Sequence, residues 1–318
     1  MGIRGLTGYL QWKQPPRRLV WEAHRGQRWG IDCSCLLYRA RANSLSPLTV
    51  IASLMMRMRA AGIEPVVIFD GRPPASKQTV IEQRRAIRVT AQKEMTELES
   101  VMESQPLTEM ERATMGLRMS SLKKQAPPVT SSDKDQIKQF LYACGILFIT
   151  AAGEADDVLA WLARQGTIQA VVSTDMDMLP RGIPMLIIPD TPDASVLSVI
   201  HTPSLLHTLG LTEAQFAAAC VMMGCDYTCA EWPTIKPATA VEIVRKGGRW
   251  GHVSDVMRAE LDKAVDLLLG SHAMWEDLVA EVQRTKWDAG APAKEPEVLL
   301  RFVRENEWPL VWFYTLMQ

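Results

Sequence analysis

Short apolar runs recur through the first 190 residues of the chain, and each is followed by a polar or acidic residue. The clearest of these runs begin near Gly30, Pro65, Gly145 and Ile168. Runs of β-favouring residues without polar alternation are typical of strands buried on both faces of a sheet. Helix-period stretches such as 46–61 and 135–144 lie between them. The pattern therefore predicts an α/β fold with a largely parallel central sheet and helices on both of its faces.

The stretch 76–124 has a different composition, rich in Arg, Glu, Met and Gln, with helical propensity but no strong apolar stripe. Gln105-Pro106-Leu107 interrupts this stretch, and Pro127-Pro128 ends it. It predicts either a solvated helical hairpin or an arch that stands over a cleft. The chain beyond about residue 200 reads as helical, with an apolar helix 216–223 that ends at the C-terminal cap Gly224. The aromatic residues of the last segment are expected to pack as core: Trp308, Trp312, Phe313 and Tyr314.

Seven acidic residues follow the predicted strands or the capped helix: Asp32, Asp70, Glu154, Asp156, Asp175, Asp177 and Asp226. Ligands of parallel sheets bind beyond the carboxyl ends of the strands, so we expect these acids to converge on one cleft. Asp175 and Asp177 would point to the same side of an extended chain. Glu154 and Asp156 cannot share a helix face, so at least one of them precedes the first helical turn. Any one of these acids, taken alone, is more typical of a loop cap than of a catalytic site.

Bound divalent cations would solve the electrostatic problem that seven neighbouring carboxylates create, because like charges at short range raise each other's pKa. Oxygen ligands without histidine or thiolate suit Mg²⁺ or Mn²⁺ rather than zinc. The six cysteines do not form a zinc pattern, and the Cys33-x-Cys35 pair in an apolar run predicts buried reduced thiols. Two ions about 4 Å apart would clamp a scissile phosphate.

The overall charge bears on the partner. The chain has 318 residues, of which 35 are Lys or Arg and 36 are Asp or Glu, for a formal net charge of −1. This balance argues mildly against a nucleic-acid binder unless acids fill a cleft and cations line its rim. The sequence shows neither an apolar run near the roughly 20 residues that span a bilayer nor a signal-peptide pattern. We therefore expect a soluble, intracellular protein without a membrane.

Six basic residues and one acid, Glu82, lie between positions 72 and 93: Arg72, Lys77, Arg84, Arg85, Arg88 and Lys93. The spacing of Lys77, Arg84 and Arg88 puts these three residues on one helical face. Such a face beside a metal cluster can hold a scissile phosphate and neutralise charge in the transition state. A solvated basic face is the alternative.

The chain resembles the flap endonuclease branch of the structure-specific 5′ nucleases through six segments that occur in order. They are Met1-Gly2-Ile3-Arg4-Gly5-Leu6, Ile31-Asp32, Ile68-Phe69-Asp70-Gly71-Arg72-Pro73-Pro74, Gly153-Glu154-Ala155-Asp156, Ser173-Thr174-Asp175-Met176-Asp177-Met178-Leu179 and Met223-Gly224-Cys225-Asp226-Tyr227. The resemblance implies a PIN-like nuclease core over residues 1–248. That core would include a helical arch over about 76–128 and a helix–hairpin–helix (H2TH-like) module over about 213–248. A helical C-terminal extension, 249–318, would pack on it.

The resemblance also implies roles for individual residues. Asp32, Asp70, Glu154 and Asp156 would serve one Mg²⁺, and Asp156, Asp175, Asp177 and Asp226 the other, with Mn²⁺ as a substitute. Lys77 and Arg84 match the catalytic cations at the base of the family's arch. Tyr38 matches a tyrosine that stacks on a base, with an ordinary packing tyrosine as the alternative. Gly2, Arg72, Arg88 and Lys236 complete the expected nucleic-acid contacts. Hydrolysis would leave a 5′-phosphate and a 3′-hydroxyl.

Two segments depart from the family pattern. The family's hairpin turn has two glycines around an isoleucine, which let backbone amides approach phosphate, whereas this chain has Thr234-Ile235-Lys236-Pro237-Ala238. Lys236 would replace them as a point charge. The last residues, Leu316-Met317-Gln318, carry no sliding-clamp motif, so clamp binding is not expected.

These observations favour a two-metal 5′ flap endonuclease and 5′–3′ exonuclease that acts on flapped, nicked or branched DNA in replication, repair or recombination. A ribonuclease of the same superfamily and a catalytically weak nucleic-acid-binding scaffold are the alternatives. The scaffold reading conflicts with the presence of all seven acids. The protein is expected to be a monomer, and nuclear if it comes from a eukaryotic cell.

Overall fold

The computed structural model describes residues 2–72, 78–123, 129–228, 234–248, 255–270 and 294–317. Its seven strands are β1 Arg17–Arg18, β2 Arg28–Asp32, β3 Glu64–Phe69, β4 Leu147–Thr150, β5 Ala170–Val172, β6 Met185–Pro189 and β7 Leu197–His201. The α-helices of the described residues up to the end of β4 are α1 Leu6–Lys13, α2 Cys33–Ala42, α3 Pro47–Ala60, α4 Gln78–Ser104, α5 Glu109–Lys123 and α6 Ser131–Ala143. Those that follow are α7 Ala155–Arg164, α8 Thr202–Leu209, α9 Glu213–Met223, α10 Pro237–Arg245, α11 Asp255–Leu269, α12 Pro296–Glu305 and α13 Leu310–Met317.

One seven-stranded sheet forms the centre of the molecule, in the order β1-β7-β6-β5-β2-β3-β4. Strands β4, β3, β2, β5 and β6 run parallel, so the prediction of a largely parallel sheet is confirmed. Strands β7 and β1 add an antiparallel edge that the sequence did not predict. The five parallel strands direct their carboxyl ends, and the loops that follow them, to the same edge of the sheet.

Helices cover both faces of this sheet, and alternate residues of each strand supply the two cores. In β3, Val66 and Ile68 pack with α1, α7 and α9, while Val67 and Phe69 pack with α2, α3 and α6. All four side chains are fully buried. Each such side chain contributes about 1.5–3 kcal/mol to folding relative to an exposed one, which explains the continuous apolar runs.

Helices α4 and α5 form a hairpin that stands apart from these cores. Arg118 on α5 donates two hydrogen bonds, of 2.6 and 2.7 Å, to the carboxylate of Glu94 on α4. Ala91 and Leu122 are buried between the two helices, with Met95 and Leu98 packed against them. The polar stretch is therefore a helical hairpin with a small core of its own, and the break between its helices falls at Gln105-Pro106-Leu107 as the sequence predicts.

The C-terminal helices α12 and α13 pack on the α3 and α6 face of the sheet. Trp308 is buried against the ring of Phe140, with centroids 5.7 Å apart, as expected for a core residue. Tyr314 is 60% exposed, so its prediction as a core residue is wrong. Its ring contacts the edge of the Phe313 ring, with centroids 5.4 Å apart, and otherwise faces solvent.

Across the described part of the chain, no single helix is long and apolar enough to cross a bilayer; only α8 and α9 reach that length and composition together, with an 80° bend between them.

Candidate active site

Three of the predicted acids lie at the carboxyl ends of adjacent parallel strands. Asp32 is the last residue of β2, Asp70 directly follows β3, and Asp175 lies three residues beyond the end of β5. Strand β2 pairs with both β3 and β5, so its end lies between the other two. The parallel register therefore brings these acids together, as the sequence predicts.

Asp32 is the most buried of these three strand-end acids, with 7% of its surface exposed. Its Oδ1 accepts a hydrogen bond from the Cys35 amide at 3.1 Å, which caps α2, and its Oδ2 accepts one from the Ser173 hydroxyl at 2.9 Å. Burial, together with the charges of Asp70 and Asp175, raises the pKa of Asp32 to about 7 against the lowering effect of the two hydrogen bonds. Among the described residues, the charged groups that act on Asp32 are two further carboxylates and no cation.

Asp175 and Asp177 form a pair, but not in the extended conformation that the sequence predicts. Asp175 caps the 3₁₀ turn Met176–Met178, and its Oδ1 accepts from the Asp177 amide at 3.0 Å. The turn, rather than strand geometry, brings the two carboxylates close. The prediction of an extended segment is wrong here, because a carboxylate can cap the amide two residues on as readily as it can bind a ligand.

Gly2 lies against this pair. A Cβ atom at Gly2, whose φ is +97°, would lie 2.8 Å from Oδ1 of Asp175 and 3.1 Å from Oδ1 of Asp177. Both carboxylate oxygens therefore face one point beside the N-terminal backbone. The amide of Arg4 donates to the Gly224 carbonyl at 3.0 Å and fastens the same segment to the end of α9.

The loop that carries Asp70 is locked to the loop after β4. The Gly71 amide donates to the Gly153 carbonyl at 2.8 Å, and a Cβ at Gly71 would lie only 1.7 Å from the Ala151 carbonyl oxygen. This close approach lets Oδ1 of Asp70 accept from the Ala155 amide at 2.9 Å, at the N-terminus of α7. A carboxylate is stabilised there by the helix dipole.

Glu154 is the N-cap residue of α7, and Asp156 lies in its first turn. The expectation that at least one of the two precedes the helix is therefore met. Both residues are half-buried. Because Asp70 supplies a hydrogen bond to the first turn, the Glu154 side chain makes no capping bond to its own helix.

Asp226 follows α9, which ends at Gly224 with a φ of +95°, the left-handed region that glycine favours. Burial raises the pKa of the neighbouring Cys225 thiol, and the charges of Asp177 and Asp226 raise it further. Asp226 and Asp177 therefore act on the same thiol from two different loops. The loop after α9 reaches the edge of the sheet at which the other acids lie.

Sequence reasoning missed a buried cation in this neighbourhood. Arg181, 1% exposed, donates through Nη1 to Asp157 and through Nη2 to the Tyr227 hydroxyl at 2.6 Å. Burial by itself would lower the pKa of Arg181, but the charges of Tyr227, Asp156 and Asp157 raise it. A single arginine in a loop gives no pattern that distinguishes it from a solvated one. The only signal was its position between Leu179-Pro180 and Gly182-Ile183.

The chemistry of the acids suits a hard divalent cation, since they offer carboxylate oxygens and Asp32 is buried beside Asp70 and Asp175. As placed, however, no three acidic, histidine or cysteine side chains among the described residues come close enough to hold one ion. Repulsion between unneutralised carboxylates keeps such groups apart, so a bound ion would have to draw them together. The described acids therefore make one edge of the sheet acidic but do not form a complete coordination sphere.

The structure describes the predicted tyrosine but only some of the predicted cations. Arg72 is exposed beside Asp70, and its amide donates to the Ala152 carbonyl at 2.9 Å. Arg88 lies half-buried on α4. Arg84 is on the same helix, but its side chain is outside the described residues, as is the whole of Lys77. Tyr38 is 47% exposed on α2, which argues against an ordinary packing role.

Lys236 is the N-cap residue of α10, where its side chain is exposed. The Ile235 amide donates to the Met222 carbonyl at 3.0 Å, and Gln215 on α9 donates to the Val244 carbonyl at 3.1 Å. Helices α9 and α10 are thus joined at both ends, although the turn between them lacks the family's glycines. Residues 229–233 of that turn are outside the described part of the chain.

Two family domains match this chain. The XPG N-terminal domain matches residues 1–91, and the XPG I-region matches residues 145–226. These ranges contain all seven acids. The I-region also contains Ser173 and Arg181.

Curated relatives cover most of the chain. It is 30% identical over 267 residues to Flap endonuclease 1 of Anoplopoma fimbria, covering 78% of this chain and 67% of the relative. It is 27% identical over 281 residues to Flap endonuclease 1 of Glycine max, covering 82% and 70% of the two chains.

Solved structures agree in fold. The catalytic core of Rad2 in complex with DNA substrate superposes with a TM-score of 0.63 at 17% identity, covering 99% of this chain and all of that one. The flap endonuclease-1 of Methanococcus jannaschii superposes with a TM-score of 0.60 at 18% identity, covering 95% and 96%.

Proposed function

Because this chain belongs to the flap endonuclease family of structure-specific 5′ nucleases that act on DNA, we propose that it cuts 5′ flaps and nicked duplexes with two Mg²⁺ ions held by its seven carboxylates. The observation that carries the metal requirement is the state of Asp32. This carboxylate is buried beside Asp70 and Asp175, and its pKa is raised to about 7. A divalent cation would supply the missing countercharge at neutral pH.

The family resemblance divides the acids into two sets. Asp32, Asp70 and Glu154 would hold one ion, Asp175, Asp177 and Asp226 the other, and Asp156 both, directly or through water. When bound, the ions would provide the hydroxide that attacks the phosphate and stabilise the leaving oxygen, and Mn²⁺ would replace Mg²⁺. Ser173 orients Asp32 with its hydroxyl, and Asp70 holds the α7 N-terminus in place through the Ala155 amide.

Cations at the base of the helical hairpin would place the scissile phosphate. In the sequence Lys77 directly precedes α4 and Arg84 is its seventh residue, five and twelve positions beyond Arg72, which lies directly at the acidic edge. Their fixed charges would neutralise the charge that develops on the phosphate. With α5, α4 would form an arch over residues 76–128 that encloses a single-stranded 5′ end, which favours flap substrates over bubbles or junctions. Lys77→Ala is then expected to slow cleavage more than it weakens binding.

Contacts outside the metal edge would hold the rest of the substrate. Tyr38 presents an exposed ring on the helix that Asp32 caps, and such a ring can stack on a base without reading its sequence. Lys236 and the N-terminus of α10 together attract phosphate on the duplex, because the helix dipole and the ammonium have the same sign there. Gly2 lets the N-terminal segment approach Asp175 and Asp177.

The test is cleavage of end-labelled substrates by the purified full chain in Mg²⁺ and in EDTA. The panel compares a 5′ flap, a nicked duplex, a bubble, a four-way junction, a single strand and an RNA flap. We expect cutting at the base of the DNA flap in Mg²⁺ or Mn²⁺ and none in EDTA. Faster cutting of the bubble, junction or RNA flap would refute the assigned substrate, and tight binding without cutting in either metal would refute the assigned chemistry.

A further inference from the structure

We propose that Arg181 is a positioning residue for the metal centre, which holds the loop carrying Asp226 against helix α7 so that Asp226 and Asp156 can serve one ion. This inference rests on the proposed two-ion function. It concerns a residue that the acidic motif does not include and that contacts no substrate. Three observations support it: what Arg181 joins, how its backbone is fixed, and what it does to Asp157.

Arg181 joins three acid-bearing segments. Its own backbone belongs to the β5–β6 connection, which carries Asp175 and Asp177. Its Nη1 donates to Asp157 in the first turn of α7, and its Nη2 donates at 2.6 Å to the hydroxyl of Tyr227, the residue after Asp226. The guanidinium lies 5.8 Å from the Tyr227 ring centroid, so ring and hydroxyl both contact it. One buried side chain therefore links the segments of all four acids of the second set.

The backbone at Arg181 is fixed to α7 as well. Arg164, at the end of α7, donates through Nε to the Arg181 carbonyl at 2.9 Å. Its Nη2 would lie 2.5 Å from a Cβ at Gly182, whose φ is +78°. Because main chain and guanidinium are anchored to opposite ends of the same helix, Arg181 has little freedom to swing away from Tyr227. This arrangement gives the Asp226 loop a rigid support rather than a flexible one.

The contact between Arg181 and Asp157 also removes Asp157 from the carboxylates that could bind a metal ion. Asp157 lies beside Asp156 on α7 and would otherwise add an eighth carboxylate to the crowded edge. Paired with the fixed charge of Arg181, it has its own counterion inside the protein. Arginine suits this task better than lysine because its planar fork donates to two acceptors in different directions. Asp157 thus orients the Arg181 guanidinium, whose charge also acts on Asp156 in the same turn of α7.

The test measures Mn²⁺ binding to the full chain without DNA, by calorimetric titration and by electron paramagnetic resonance of the free ion. The variants are Arg181→Met, Arg181→Lys and Tyr227→Phe. The matched control is Arg59→Met, which removes a half-buried arginine that donates to the backbone carbonyls of Leu316 and Gly145 on the face of the sheet opposite α7. Hydrogen exchange at the amides of residues 225–228 is followed in parallel.

We expect Arg181→Met to weaken one of the two Mn²⁺ sites roughly ten- to hundredfold, the range for groups that orient metal ligands, and to speed exchange at 225–228. Arg181→Lys should recover part of the affinity. Tyr227→Phe, which removes one hydroxyl and leaves the charge buried, should lie between them and keeps the test open if Arg181→Met does not fold. Arg59→Met should lower the melting temperature without changing the affinity for either ion.

Full affinity for both ions in folded Arg181→Met or in Tyr227→Phe would overturn the proposal. Absence of Mn²⁺ binding in the unaltered chain would count against the proposed function instead. The exchange measurement would still test whether Arg181 holds the Asp226 loop. Even then, unchanged exchange at 225–228 in Arg181→Met and Tyr227→Phe would refute the claim that Arg181 holds this loop.

Discussion

Ser173 donates its hydroxyl proton to Asp32 across 2.9 Å, from a position with no exposed surface. The same hydroxyl accepts the amide of Asp175 at 3.0 Å. One serine oxygen thereby fixes the distance between two acids that lie more than 140 residues apart in the chain. Its role is electrostatic as well, since the bond to Asp32 lowers a pKa that burial raises.

Replacing Ser173 with alanine should weaken the binding of Mg²⁺ at the metal site. Without the hydroxyl, the pKa of Asp32 rises further and the Asp175 amide loses its acceptor. We expect the Mg²⁺ concentration for half-maximal cleavage to rise about tenfold, as for other groups that orient ligands. The control is Ser198→Ala, which removes a serine that donates to Asp190 at 2.6 Å on the β6–β7 hairpin, away from the acids. An equal rise in both variants would contradict the role of Ser173.

Replacing Asp175 with alanine should abolish cleavage while substrate binding persists. The acid faces Gly2 and Asp177, and its loss removes an oxygen from the second ion without touching the proposed duplex contacts. Cleavage of a labelled 5′ flap should fall at least about a hundredfold, whereas Kd in Ca²⁺ or EDTA should change little. Asp193→Ala, at an exposed acid of the β6–β7 turn, should cleave normally. Full activity of Asp175→Ala would refute the metal assignment.

Gly71→Ala should destabilise the fold and displace Asp70. The new methyl group would lie 1.7 Å from a backbone oxygen of Ala151, which cannot move without breaking the pairing of the two loops. We expect a loss of about 3 kcal/mol or more in the free energy of unfolding, measured with urea. Gly153→Ala, on the facing loop, meets nothing within 4 Å and should cost far less. Equal losses would mean that the close approach does not exist.

The ion-free protein should become less stable as the pH rises from about 4 to about 7. In this range folded Asp32, with its pKa raised to about 7, keeps a proton that the unfolded chain, near 3.8, has lost. The folded state binds more protons, so its stability falls with rising pH. Asp32→Asn cannot titrate and should melt on the order of 5 °C higher than the unaltered chain at pH 8 in EDTA.

Saturating Mg²⁺ should reverse this order, because the ionised carboxylate then has a partner and asparagine does not. Melting curves at pH 5 and pH 8, with and without Mg²⁺, check both statements. A lower melting temperature for Asp32→Asn at pH 8 in EDTA would contradict the raised pKa.

The sequence predicted the parts of the site that follow from strand order. Asp32 and Asp70 could be assigned because an apolar run ending in an acid places that acid at the carboxyl edge of a parallel sheet. Gly224 could be assigned because an apolar helix that ends in glycine has a familiar cap. These inferences need only local pattern and one topological rule.

Other parts depend on contacts between distant segments. The contact of Gly2 with Asp175, and that of Arg181 with Tyr227, connect residues far apart in the chain and leave no periodic signal. The 3₁₀ turn at Asp175 was missed because an aspartate cap and an extended pair of acids have the same sequence pattern. Strand β7 was missed because Ser198 interrupts its apolar run and because it follows a turn rich in Asp, Thr and Ser.

The sheet ends in β1, which is only two residues long, and both of them, Arg17 and Arg18, are exposed. A free strand edge is a template on which another chain can add a strand, and long apolar edges cause proteins to aggregate. Here the edge exposes almost no unpaired backbone N–H and C=O groups. The arginines of two copies that approach each other at this edge would repel. The consequence lies in solubility: replacing both arginines with valine should leave the active site intact and yet make the protein precipitate at concentrations that the unaltered chain tolerates.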